Sequence, residues 1–75
     1  MNQMKVNERK EVILRALHAK YEGEREYHKA NIEIYLSNPA GIGEHSDVLE
    51  AINIELERMV TADEKIHILV NTWEF

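Results

Sequence analysis

One stretch near the middle of the chain dictates where helical structure must stop. Proline occurs once among the 75 residues, at position 39; it lacks the amide hydrogen that continues a helix, and it disfavours helical geometry in the preceding residue. Glycines follow at positions 41 and 43, and both can adopt the positive φ angles that an isoleucine between them resists. The stretch therefore predicts a compact structural loop that depends on Asn38, Pro39, Gly41, Ile42, Gly43 and Asp47.

The residues on either side of this loop predict two long antiparallel helices. We expect the first over residues 7–36, the loop over 37–46 and the second helix over 47–73. Asn7 is a candidate cap of the first helix, and Ser46 or Asp47 of the second. Asp47 and Glu50 have the spacing of a capping box. The sequence thus predicts an all-α fold, a helical hairpin that forms a single domain over residues 1–75.

The second predicted helix has the cleaner apolar periodicity. Positions spaced alternately by three and four residues predict a seam in the core or at a dimer interface. Asp63 interrupts this seam, and we expect it to meet a basic residue of the first helix, Lys20. The remaining seam residues are Leu49, Ile52, Leu56, Met59, Ile66, Val70 and Trp73.

The first predicted helix carries two neighbouring stripes, which together are wide enough to contact more than one helix. Small residues recur every seven positions in one stripe, which favours close helix approach. We interpret Gly23 as a close-packing residue, with a functional hinge as the alternative. This much apolar surface exceeds what a single hairpin covers, so we expect a homodimer that forms a four-helix bundle. The first stripe comprises Ile13, Ala16, Lys20, Gly23, Tyr27, Ala30 and Ile34; the second comprises Leu14, Leu17, Tyr21, His28 and Tyr35.

Charge and composition narrow the class of function. The net charge of −5 argues against binding nucleic acid through phosphate neutralisation. Residues 1–29 carry seven basic and five acidic side chains, whereas residues 30–75 carry two basic and nine acidic ones; the two halves of a hairpin would therefore attract each other. The chain has no cysteine, and no segment is apolar enough for a signal peptide or a membrane span. We expect a soluble, cytoplasmic protein without a membrane partner.

Three patterns in the sequence could form a metal-binding, anion-binding or catalytic site. Glu64 and His67 have the Glu-x-x-His spacing of di-iron carboxylate bundles, so the alternative function is a metal-binding helical bundle. Asp63 and Ile66 occupy the seam, however, which favours a solvated face for the pair. The Gly41–Gly43 loop could bind an anion, but acidic residues surround it. His18 and His28 have no nucleophile at a catalytic spacing. We therefore predict no catalytic residue, no metal site and no cofactor.

Residues 28–47, together with Asp63, Glu64 and Lys65, resemble a known family. The resemblance is most specific in the loop, which reads Asn-Pro-Ala-Gly-Ile-Gly-Glu-His over residues 38–45. The family consists of small uncharacterised helical-hairpin proteins of marine tailed phages, especially cyanophages, and of ocean metagenomes. The resemblance implies a phage-encoded protein that acts inside an infected bacterium, on itself or on an unknown phage or host protein. It implies no activity, so the expected function is that of a non-enzymatic interaction or structural accessory protein.

Overall fold

The computed structural model describes residues 5–37 and 47–75, which form two helices. Helix α1 spans Val6–Ser37 and helix α2 spans Val48–Thr72. The helices pack against each other as a hairpin, with no strand in the described ranges, and this confirms the predicted fold class. Each helix boundary lies one residue from its predicted position. The predicted loop residues Asn38, Pro39, Gly41, Ile42 and Gly43 lie outside the described residues.

Helix α1 is secured at both ends by local hydrogen bonds. At its start, the backbone N–H of Lys5 donates to Glu8 Oε2 at 3.3 Å, and Arg9 N–H donates to the Lys5 carbonyl at 2.9 Å. Lys5 therefore occupies the capping position predicted for Asn7, and Glu8 compensates the positive end of the helix dipole. At the other end, Ser37 Oγ donates to the Glu33 carbonyl at 2.8 Å.

Helix α2 starts after Asp47 without the predicted capping box. The Asp47 carbonyl accepts a hydrogen bond from Ala51 N–H at 2.9 Å, but the Asp47 side chain makes no capping hydrogen bond. Asp47 has φ −96° and ψ 10°, outside the extended region that aims a capping side chain at the next turn. The Asp47–Glu50 prediction is therefore wrong. The helix ends because Trp73 is extended, although its N–H still donates to Leu69 at 3.1 Å.

The core is a narrow seam between the two helices. Among the described residues, its buried apolar side chains are Leu14 of α1 and Ala62, Ile66 and Leu69 of α2. Ala62 is only 1% exposed, which is consistent with close approach of the two helices beside a small side chain. The stripe of α2 that faces α1 keeps the predicted alternation of three and four residues but lies one position round the helix. It comprises Ile52, Glu55, Met59, Ala62, Ile66, Leu69 and Trp73.

The two apolar stripes of α1 have different environments. The second stripe provides the packed face, through buried Leu14 and the half-buried side chains of Leu17, Tyr21 and His28. The first stripe is exposed along its whole length. A Cβ atom added to Gly23 would have no neighbour within 4 Å, so close packing within the hairpin does not explain this glycine.

The hairpin is a single layer of two helices. Its principal-axis dimensions are 58 × 27 × 13 Å, so it is about half as thick as it is wide. Most domains bury their cores between two or more layers of secondary structure. Both broad faces of this layer therefore remain available for contact.

Candidate interaction surface

A polar cluster interrupts the apolar seam towards the loop end. Glu55 is 9% exposed and is the only charged residue that is buried among the described residues. Its Oε2 atom lies 2.5 Å from His28 Nδ1 and 3.2 Å from Asn31 Nδ2, both on α1. Arg58 approaches the other carboxylate oxygen at 3.9 Å. No buried side-chain nitrogen or oxygen lacks a partner in the described ranges, so the cluster is satisfied.

The Glu55 carboxyl is held in its ionised form by these neighbours. Its pKa lies below the usual value of 4.5, mainly because it accepts the hydrogen bond from His28; desolvation by burial opposes the shift, and Asn31 and Arg58 support it. An ionised carboxylate only accepts hydrogen bonds, so the His28 ring N–H is the donor. The cluster fixes the register of α1 against α2 because a shift along the seam would leave Glu55 buried without partners.

A second polar contact crosses the seam between the cluster and the open end of the hairpin. Arg25 Nη1 lies 2.7 Å from Asp63 Oδ1, and both side chains are partly exposed. The expectation that Asp63 meets a basic residue of α1 is confirmed, but the predicted partner was wrong. Lys20 lies instead 3.9 Å from Glu24 on its own helix.

The Glu64 and His67 pair of the alternative metal-binding function is not assembled into a ligand cluster. Glu64 and His67 are both exposed, and His67 Nε2 lies 3.3 Å from Asp63 Oδ2. Over residues 5–37 and 47–75, no group of three or more His, Cys, Asp or Glu side chains could hold a metal ion. The exposure of the pair agrees with the solvated face that the seam pattern favours.

The predicted seam of α2 is divided between the core and the surface. Ile66 is buried, Ile52 and Met59 are half-buried, and Trp73 stands partly exposed at the open end. The exposed members form, with Val60, an apolar strip on α2 outside the hairpin core, and they remain predicted dimer contacts. They are Leu49, Leu56 and Val70, of which Leu49 is 77% exposed.

The exposed stripe of α1 is the longer apolar surface. We call it the outer face of α1. Tyr27 is 65% exposed, and Ile13 and Ile34 near its two ends are each more than half exposed. Ala16, Gly23 and Ala30 lie between these large side chains, and Lys20 is the one charged member of the face.

Trp73 separates two grooves at the open end of the hairpin. On one side, an apolar groove of about 400 Å³ lies between Trp73 and the first turns of α1, beside Val6 and Ile13. On the other side, a more polar groove of about 550 Å³ is lined by His18 and Phe75, whose rings meet edge to face at 5.7 Å. The Trp73 side chain therefore lies between two open grooves and is not enclosed in the core.

The accessible surface is large for the mass of the chain. The hairpin exposes 6104 Å². A compact globular protein of 8.8 kDa exposes about 4,800 Å². The excess of about 1,300 Å² per chain exceeds the roughly 800 Å² that each partner buries in an interface of standard size.

The apolar periodicity of the sequence does not identify Glu55 as a buried residue. Its position three residues after Ile52 and four before Met59 fits the seam, but its charge excluded it from an apolar stripe. His28 was placed on the packed stripe of α1, and a search for an acidic partner at matching height on α2 would have identified Glu55.

None of the described helices has an apolar stretch long enough to cross a membrane. Comparison with protein-family models, curated proteins and solved structures finds no match to this chain. The function is therefore inferred from the geometry of the hairpin and from the loop sequence.

Proposed function

We propose that this chain is a non-enzymatic structural or interaction protein that works as a homodimer, in which two hairpins pack into a four-helix bundle. The observation that carries the proposal is the single-layer architecture, with four buried apolar residues in the described ranges and exposed apolar side chains on both helices. A chain of this size has a marginal core by itself. A second hairpin would supply the missing layer.

The polar groups of the hairpin support a structural role over a catalytic one. His28 and Glu55 are committed to each other and to the helix interface, as are Arg25 and Asp63. Such contacts specify register and orientation, as buried polar residues do in coiled coils. The loop resemblance supports a phage-encoded accessory protein that acts in an infected bacterium, where it would contact itself and a phage or host protein.

Light scattering on the protein as it elutes from a size-exclusion column tests the proposal. We expect a mass of twice 8.8 kDa at micromolar concentration. A mass of one chain, together with cooperative unfolding, would show that the hairpin needs no second layer. Catalytic turnover that is lost on mutation of a described residue would contradict the non-enzymatic part of the proposal.

A further inference from the structure

We propose that the second copy docks on the outer face of α1, with the two α1 helices antiparallel and a twofold axis at Gly23. This inference rests on the proposed homodimer and names the surface, the partner and the orientation. The face is exposed over residues 13–34. Within the hairpin a Cβ atom on Gly23 would meet nothing within 4 Å, and the ion pair of Lys20 is with Glu24 of its own helix.

The order of residues along the outer face is nearly symmetric about Gly23. Ala16 and Ala30 lie seven residues on either side of it, while Ile13 and Ile34 lie ten before and eleven after. A twofold interface must be self-complementary, because the same patch contacts itself in reverse. An antiparallel pair would place Gly23 opposite Gly23, each alanine opposite the other alanine, and each isoleucine opposite the other isoleucine.

The two remaining positions of the face select this orientation. In the antiparallel pair, Lys20 of each copy lies opposite Tyr27 of the other, where its ammonium group can interact with the tyrosine ring. In a parallel pair, Lys20 would face Lys20, and like charges would repel each other. The exposed Tyr27 ring is available for such a contact.

The charge distribution along α1 favours the same orientation. Residues 5–20 carry five basic and two acidic side chains, whereas residues 21–37 carry two basic and four acidic ones. Antiparallel docking places the basic half of each α1 beside the acidic half of the other. A parallel pair would place the two basic halves together.

Gly23 itself is explained by this docking. Glycine in the interior of a helix is unfavourable relative to alanine, and no contact within the hairpin requires it here. At the twofold axis, the missing side chain lets two backbones approach closely. The surface excess estimated above is sufficient for an interface of this kind.

The absence of native cysteine makes single-cysteine variants a direct test of the register. We would oxidise Lys20→Cys and Tyr27→Cys proteins separately and as a mixture. If the pair is antiparallel, the mixture should form a disulfide-linked dimer that contains one chain of each variant. The yield of this mixed dimer should be at least about tenfold higher than the yield of linked dimer from either variant alone. Preferential linkage of Lys20→Cys to itself would overturn the orientation.

Gly23→Leu tests the close approach and has a matched control on the same helix. Apart from the adjoining backbone of α1, a Cβ atom at this position meets nothing within 4 Å, so helicity should be retained while the dimer dissociates at least about tenfold more readily. Ala19→Leu introduces the same side chain at an exposed position of α1 that is not a member of the outer face, removes no charge, and should leave association unchanged. Equal effects of the two variants would contradict the docking.

Light scattering and a Leu56→Cys variant on α2 distinguish the possible failures. A dimer that links through Leu56→Cys but not through the α1 pair would overturn this docking and leave the proposed homodimer intact. A monomer would overturn both, and masses that grow beyond two copies would indicate open-ended association instead of a closed twofold pair.

Discussion

The location of the core is tested most sharply by two leucines of α2. Leu69 is 7% exposed and faces α1, whereas Leu49 is 77% exposed. Replacing each by alanine removes the same atoms and changes helix propensity in the same way. The difference between the two variants therefore measures burial alone.

We expect Leu69→Ala to lower the free energy of unfolding by about 2–3 kcal/mol, the lower part of the range for buried leucines, because a seam between only two helices can partly collapse. Leu49→Ala should change it by less than about 0.5 kcal/mol, because Leu49 is exposed on α2 and lies outside the α1 face proposed for the dimer. For a domain of this size the first change lowers Tm by roughly 10–20 °C. Circular dichroism during thermal and urea unfolding, at one protein concentration, measures both. Equal losses, or a larger loss for Leu49→Ala, would refute the core described above.

Three further outcomes follow from the polar contacts and from the open end. The pKa of Glu55 is lowered in the folded state, so its contribution to stability is complete above the usual value of 4.5 and is lost as pH falls through the folded pKa. The free energy of unfolding in urea should therefore depend less on acid pH for Glu55→Gln than for the wild type. An unchanged pH dependence would contradict the ionised cluster with His28. A double-mutant cycle on Arg25 and Asp63 should give a coupling free energy of only about 0.5 kcal/mol, which decreases as salt is added, because both side chains are partly exposed. A coupling free energy above about 2 kcal/mol would contradict this and would mean that the pair is far better shielded from solvent. Trp73 should fluoresce at an intermediate wavelength and be partly accessible to quenchers, and Trp73→Ala should cost about 2 kcal/mol, less than a fully buried ring; complete protection from quenchers would contradict the open grooves.

The sequence was sufficient to predict the elements of the fold. Proline at position 39 and the periodicity on either side of it define two helices, whose boundaries fall within one residue of the prediction. The orientation of α2 about its own axis, which decides which side chains face α1, was harder to predict. Apolar content alone favours Leu49, Leu56 and Val70 as buried residues over Glu55 and Ala62. The structure buries Glu55 because His28 and Asn31 satisfy it. It buries Ala62, the least exposed core residue, in the seam against α1.

The sequence pattern also could not predict which residues of α1 and α2 contact each other. Counting back from the loop suggested Lys20 for Asp63, but Arg25 makes the contact. Counting residues back along the first helix depends on the length of the loop, and an error of one helical turn in that count changes the predicted partner. Gly23 was interpreted as a close-packing residue, but its open surroundings within the hairpin became evident only in the structure.

The dependence of thermal stability on protein concentration tests most directly whether a second copy completes the core. Folding that is coupled to dimerisation makes Tm rise with concentration, because mass action favours the associated folded state. The account predicts such a rise for the wild type and a smaller one for Gly23→Leu. A wild-type Tm that stays constant from low micromolar to high micromolar concentration, with one-chain mass throughout, would contradict it.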